Sequence, residues 1–349
     1  MMQYPASSSF LRRRLSLMSV AAVIGATGFV GSHIVNHLLS KGYSVRCSTR
    51  SVDAAQWLKR IPNASSDKVS LHPLSLTSSG PSDEAQMDSM LRGPVSSVFF
   101  CAGFETQAPE TIDFMVNNAL ATIRAARRNE VQTVVITSSG GSTNPLGLPS
   151  DTMKSEILHW SDPEQQKSAN KWSPAAKTLM EINSLLDVGR NQQNEIVDAD
   201  KAKASPRLVI MNPNLILGPQ LQPGEVKGNS LPWIVKILKK ESMAEQIPND
   251  SMSVIDVRDL VALHVAAAEK PDASGRYWGV NKSFKWEEIL TTFQKVLPSY
   301  TPPPRFEGEA KLETQFDHTR KESLGVPLRS LEETLQDLVA FMQERKVID

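Results

Sequence analysis

Apolar and polar positions alternate between two periods along the first two-thirds of the chain. Val20–Ile24 is a short apolar run bounded by glycine, as expected of a buried strand. From Phe29 to Lys41 the period changes to that of a helix: Val30, Ile34 and Leu38 fall at i, i+4 and i+8, with Val35 and Leu39 beside them, and Gly42 stops the run. Ser44–Thr49, Val95–Cys101, Val131–Thr137 and Arg207–Met211 read as further strands. Ile112–Arg128, with Met115, Leu120 and Ile123 inward, and Pro174–Val188, with its proline in the first turn, read as helices. Strands alternating with helices predict βαβ units: an α/β, Rossmann-type, doubly wound parallel sheet.

Beyond Pro213 the texture changes. Prolines cluster at 213, 219, 223 and 232 and again at 302–304, and short elements are separated by long connections. This predicts a smaller mixed α/β C-terminal subdomain. The expected division is a dinucleotide-binding domain over 19–212 and a substrate-side subdomain over 213–349, with segments returning to the first domain near 251–258. Ser330-Leu-Glu-Glu333 is a capping box that opens a last helix carrying Leu331, Leu335, Leu338 and Met342. Residues 190–205 are a polar insertion, expected as a surface loop. The apolar stripe Leu231–Leu238, with Trp233, Ile234 and Ile237, suits core packing better than a pocket lining.

Charge narrows the function classes. Lysine plus arginine and aspartate plus glutamate are 38 each, which leaves no basic excess for nucleic acid. No apolar run has transmembrane length. Cys47 and Cys101 fall on strands expected to lie either side of the first. Two strand spacings of about 4.8 Å exceed the roughly 7 Å disulfide limit, so both are read as free thiols in a reducing compartment. The six histidines are scattered and no metal site is predicted. Residues 1–18 hold three arginines, four serines and no acid. They read as a disordered extension or a weak mitochondrial or plastid leader, so the expected location is cytoplasmic or organellar and not secreted.

The chemistry begins at Gly25-Ala-Thr-Gly28-Phe-Val-Gly31, placed between a strand and a helix. A tight turn, close approach of backbone to a pyrophosphate and close helix–sheet packing each need a glycine. The helix N-terminus then offers unpaired N–H groups to the anion. The second strand ends Ser48-Thr49-Arg50-Ser51, with Arg46 inside it and no acid nearby. An NAD site usually has an acid there for the ribose. An arginine suits a 2′-phosphate, so NADP(H) is preferred, with NAD(H) left open.

GATGFVG followed by VRCSTRS resembles the extended short-chain dehydrogenase/reductases (an NAD-dependent epimerase/dehydratase-like superfamily) of the dihydroflavonol reductase and cinnamoyl-CoA reductase type. The likeness continues through VFFCAG (98–103), Asn117, VVITSSGG (134–141), WSDPEQQKSANKWSPAAK (160–177), NPNLILGP (212–219), VIDVRDLVALHVAAAE (254–269) and GRYWGV (275–280). The resemblance implies cofactor contacts at Gly25, Thr27, Gly28, Phe29, Val30, Gly31 and Arg50, and at Cys101, Ala102, Lys177, Pro213 and Leu215. It implies a catalytic serine at Ser139, a lysine at Lys177 and a supporting asparagine at Asn117. The family's tyrosine, four residues before the lysine, is replaced by Ser173. The only tyrosines are Tyr4, Tyr43, Tyr277 and Tyr300. Asp256 and His264 are expected to be structural.

Two functions are therefore expected side by side. One is an NADP(H)-dependent reductase of a ketone, aldehyde or acyl-CoA thioester with an atypical proton donor. The other is a catalytically inactive NADP(H)-binding redox sensor or accessory subunit. The expected partner is a small-molecule carbonyl substrate, with homodimer and subunit of a larger assembly both open.

Overall fold

A computed structural model describes residues 19–103 and 107–348. The expected leader lies outside the described residues. Seven parallel strands form one sheet: β1 (Val20–Ile24), β2 (Ser44–Thr49), β3 (Val69–Pro73), β4 (Val95–Phe100), β5 (Thr133–Thr137), β6 (Arg207–Pro213) and β9 (Gly275–Gly279). Their spatial order is β9-β6-β5-β4-β1-β2-β3, so the topology reverses beside β1, as the Rossmann reading requires.

Side-chain alternation explains why both faces are covered. In β1, Ala21 and Val23 face one buried cluster, with Val35 and Leu38 of α1 (Phe29–Ser40) and Leu260 and Leu263 of α5 (Val257–Glu269). Ala22 and Ile24 face the other, with Met115 and Ile123 of α2 (Glu110–Arg128) and Ala176 and Met180 of α3 (Trp172–Asp187). Residues two apart share a face, and strands buried on both faces read as unbroken apolar runs. Gly42, at φ 93°, lets the chain leave α1: its N–H donates to Leu39 O, and that of Tyr43 to Leu38 O.

The smaller subdomain packs α4 (Ser230–Leu238), α6 (Trp286–Val296) and α7 (Leu331–Glu344) around a third apolar cluster. Its sheet joins β7 (Leu215–Leu217), β8 (Ser251–Asp256) and β10 (Lys282–Lys285), with β8 in the middle. Both flanking groups of the expected capping box are present at Ser330 and Glu333. Leu231, Ile234 and Ile237 are core, and Trp233 stands edge-on to Trp286 at 5.3 Å.

The segment expected to return near 251–258 divides: β8 pairs in the small sheet, while Ile255 packs in the first apolar cluster and α5 starts at Val257, and β9 is the seventh strand of the large sheet. Two other expectations are corrected. In α2, Leu120 is only half-buried while Asn118 is fully buried. The Asn118 amide donates to Thr77 O and Phe114 O, both at 2.7 Å, so a polar side chain takes a core position. The insertion at 190–205 holds a short helix, Ala199–Ala204, capped by the Asp198 carboxylate.

Candidate functional site

Because the large sheet is parallel, every strand ends at the same edge. That edge gathers the glycine loop after β1, Arg50 after β2, Cys101 and Ala102 after β4, Ser139 after β5 and Pro213 at the end of β6.

The three glycines of the loop have different reasons. Gly25 has φ 85°, and a Cβ there would lie 2.7 Å from Ala102 N. A Cβ at Gly31 would lie 2.1 Å from Gly25 O, so this glycine serves helix packing. A Cβ at Gly28 would meet only Gly25 O, at 3.2 Å, within 4 Å. The space before Gly28 is open, at the start of α1, where no side chain caps the helix and no acid stands in the first turn. Orphan N–H groups and the positive end of the helix dipole face it. The loop is anchored behind by Ser48, whose Oγ accepts the Gly25 N–H at 3.0 Å. These features fit a dinucleotide pyrophosphate.

Thr27 is exposed, and its carbonyl accepts the Gln222 amide at 3.3 Å. Phe29 and Val30 are half-buried in the first turn of α1. Arg50 is exposed and has no hydrogen bond or ion pair among the described residues. Arg46, in contrast, donates to Met90 O and Arg92 O at 2.8 and 2.7 Å, which is a structural role. Leu215 is buried in the apolar core of the smaller subdomain, so only its backbone is left for a ligand.

At the end of β5, Ser139 is the N-cap of the 3-10 turn Gly140–Thr143, and its Oγ accepts the Gly141 N–H at 3.1 Å. Its hydroxyl proton stays available to an acceptor in front of it. The first turn of α3 lies against this turn: a Cβ at Gly141 would sit 3.4 Å from both Pro174 Cβ and Ser139 Oγ. Ser173, half-buried beside Pro174, makes no hydrogen bond through its hydroxyl among the described residues. One helical turn on, Lys177 donates to Thr137 O at 2.8 Å. Burial pulls its ammonium down to about 8, against the smaller raising effects of Cys101 and Glu181. Asn117 does not join this group: its amide donates to Ser78 O at 2.7 Å, in the hairpin under α2.

Cys101 and Cys47 are both free, as expected, and burial pushes each thiol up to about 12. The Cys101 thiol lies 3.3 Å from Thr137 Oγ1, which lies 2.9 Å from His264 Nε2. His264 Nδ1 lies 2.8 Å from Leu260 O and so carries the ring proton. Burial lowers this histidine to about 4. A neutral ring leaves Nε2 to accept from the Thr137 hydroxyl, which also stands within donating reach of the Cys101 sulfur. Asp256 caps α5 and pairs with Arg258 at 2.7 Å, the structural role expected of it.

A buried polar network behind Ser139 was absent from the sequence reading. The Glu181 carboxylate, on α3 one turn beyond Lys177, accepts from the hydroxyls of Ser138 and Ser142 and from the Asn212 amide at 2.8 Å. Arg276 of β9 approaches its other oxygen to 2.8 Å, with the N–H off the line of the contact, so this is an ion pair rather than an aligned hydrogen bond. Four residues separate Lys177 from Glu181, the one signal available in the sequence. Nothing in the sequence connects Arg276 to either. Among the described residues no cluster of metal-ligating side chains occurs, and no helix is long and apolar enough to cross a membrane.

Residues 21–165 match the NAD dependent epimerase/dehydratase family. The chain is 29% identical over 329 residues to cinnamoyl-CoA reductase 2 of Medicago truncatula, covering 93% of this chain and 91% of that protein. It is 27% identical over 351 residues to aldehyde reductase 2 of Sporidiobolus salmonicolor, covering 92% and 95%. Among solved structures, yeast methylglyoxal/isovaleraldehyde reductase complexed with NADPH has the same fold: TM-score 0.78 and 22% identity, over 95% of this chain and all of that one. The glycine loop, the TSS turn and the helix lysine thus stand at one sheet edge in a chain that is similar to the NAD dependent epimerase/dehydratase family over residues 21–165 and to cinnamoyl-CoA reductases over most of its length.

Proposed function

We propose that the protein is an NADP(H)-dependent reductase of a small carbonyl compound, with Ser173 where its family places the proton-donating tyrosine. The observation that carries this reading is the convergence of the open glycine loop, Ser139 and Lys177 on one edge of the sheet. The reductases it resembles act on carbonyl compounds, and the yeast neighbour binds NADPH.

Bound NADPH would supply hydride to the carbonyl carbon. The first turn of α1 holds the pyrophosphate, and Arg50 pairs with the 2′-phosphate. Ser139 donates its free hydroxyl proton to the carbonyl oxygen and polarises it. Lys177 orients the cofactor's ribose and places a positive charge near the oxygen as negative charge builds there. The proton that completes the alcohol reaches that oxygen from Ser173 or from a water beside it. An aliphatic hydroxyl is a much weaker acid than a phenol and its side chain is shorter by a ring, so turnover of simple aldehydes is slow.

The second reading, a catalytically inactive NADP(H)-binding redox sensor or accessory subunit, is favoured by Ser173 itself. Ser173→Tyr separates the two. A positioned general acid contributes about 10²- to 10⁴-fold, and Lys177 one turn away can lower the new phenol. A gain of that size over a slow wild type shows a family-like site that has lost its acid. A fast wild type that Ser173→Tyr slows shows a different working donor. If neither form turns over, both bind NADP(H), and the native mass is that of a large assembly, the reductase reading falls and the subunit reading stands.

A further inference from the structure

Ser139 is held from behind. Its neighbours Ser138 and Ser142 both place their hydroxyls on a single Glu181 oxygen. Asn212 donates to that oxygen and also, at 3.0 Å, to the backbone carbonyl of Ser139. Arg276 continues the network outward. Its Nη2 donates to Ser142 O at 3.0 Å and its Nη1 to His159 O at 3.0 Å, while its guanidinium lies 3.7 Å from the centre of the Trp160 ring. The side chains of Glu181 and Arg276 are 0% and 1% exposed.

Mere packing does not call for such a pair. Taking two charges out of water is costly, and well-packed neutral side chains of similar volume often stabilise a fold as well or better. A carboxylate does what an apolar side chain cannot: it fixes several donors around one point. Here those donors are the residues on either side of Ser139 and the asparagine under its carbonyl.

We infer that Glu181 and Arg276 are positioning residues, a buried ion pair whose role is to hold the turn that presents Ser139. Glu181 draws the two flanking serines and Asn212 to a common point. Arg276 ties the same turn to the 159–160 segment, so that segment and the polarising hydroxyl keep one geometry. The inference rests on the reductase reading for the role of Ser139, but the holding of the turn stands apart from any turnover.

The test uses the full chain and three variants: Glu181→Gln, the neutral pair Glu181→Gln/Arg276→Met, and the milder Ser142→Ala. Amide hydrogen exchange is followed in peptides over 137–145 and over 20–49. Thermal melting, NADP(H) affinity and turnover of an aldehyde panel are measured beside it. Each variant is expected to speed exchange at least about tenfold in 137–145 and to leave 20–49 and NADP(H) affinity unchanged. The neutral pair is expected to regain the melting temperature that Glu181→Gln loses, without regaining protection of the turn. Where turnover is measurable, it falls through kcat and not KM. If the neutral pair restores protection along with stability, or if exchange rises equally in both peptides, the pair is only structural and the inference fails. If Glu181→Gln does not fold, the neutral pair and Ser142→Ala decide by the same criterion. A wild type without turnover whose turn loosens as stated keeps this inference, and the reductase reading is then decided by Ser173→Tyr and the native mass.

Discussion

The glycine loop and the Ser139 turn stand at the same edge of one sheet but are stabilised in opposite ways. The loop is a local device. It is made of backbone and missing side chains, with Ser48 anchoring Gly25 from 23 residues away and a single distant amide, that of Gln222, on the Thr27 carbonyl. It faces its ligand with unpaired N–H groups and needs no charge of its own. The Ser139 turn is a distributed device whose polar supports come from α3, β6 and β9, as far as 134 residues from Ser142. Binding an anion asks only for donors and space. Polarising one carbonyl oxygen asks for one hydroxyl in one place, and that takes a network.

If the comparison is right, the halves break separately. Gly28→Val puts atoms into the open space before α1 at an ordinary backbone conformation, φ −78° and ψ 172°. NADP(H) affinity should fall more than about a hundredfold with little change in melting temperature. Gly31→Val, whose Cβ would collide with Gly25 O, should instead lower stability outright. Normal NADP(H) binding by Gly28→Val, read by calorimetry, would remove the loop from its role.

Ser139→Ala should do the reverse. Loss of one polarising donor typically costs about 10²- to 10³-fold in kcat, while cofactor affinity stays within about twofold. A matching loss of affinity would mean the two halves are not separable.

A smaller effect is expected at Arg50. Arg50→Ala should weaken NADP(H) about tenfold, or about 1.4 kcal/mol, and leave NAD(H) nearly untouched. Titration with both cofactors reads this directly, and equal losses for the two would dissociate Arg50 from the 2′-phosphate.

An effect on stability alone belongs to the buried histidine behind Thr137. The folded protein holds His264 neutral down to about pH 4, below its usual value near 6.5. Between those values the unfolded chain carries the extra proton, so this residue's contribution to stability falls as pH is lowered through the window. Replacing His264 with Gln should reduce the slope of stability against pH there by about 1.4 kcal/mol per unit. Denaturant melts at pH 4.5 and 6.5 measure it. An unchanged slope would show that His264 is protonated in the fold.

The same contrast explains what was legible in the sequence. Contiguous features were plain: β1, the glycine loop and α1 announce themselves by period and by glycine position, as do β5, α3 and the capping box at Ser330. β3 was missed because it is an edge strand whose burial alternates weakly. β9 was credited to the smaller subdomain because its buried run, Gly275–Gly279, follows a long stretch of mixed elements, and a short apolar strand does not name its neighbour. Glu181, Asn212 and Arg276 were invisible as a group, and Asn118 as a buried donor to backbone carbonyls. Buried polar residues break the hydrophobic pattern one at a time, and only tertiary structure shows where their partners are.

The position of Arg276 on β9 has a consequence for how the protein comes into being. A ribosome at about 5–20 residues per second takes on the order of ten seconds to make the chain between Ser142 and Arg276. Throughout that interval the glycine loop already has its Ser48 anchor, while Glu181, once made, lacks the arginine that pairs with it. The polar supports of the Ser139 turn are therefore complete only when the last strand of the sheet arrives.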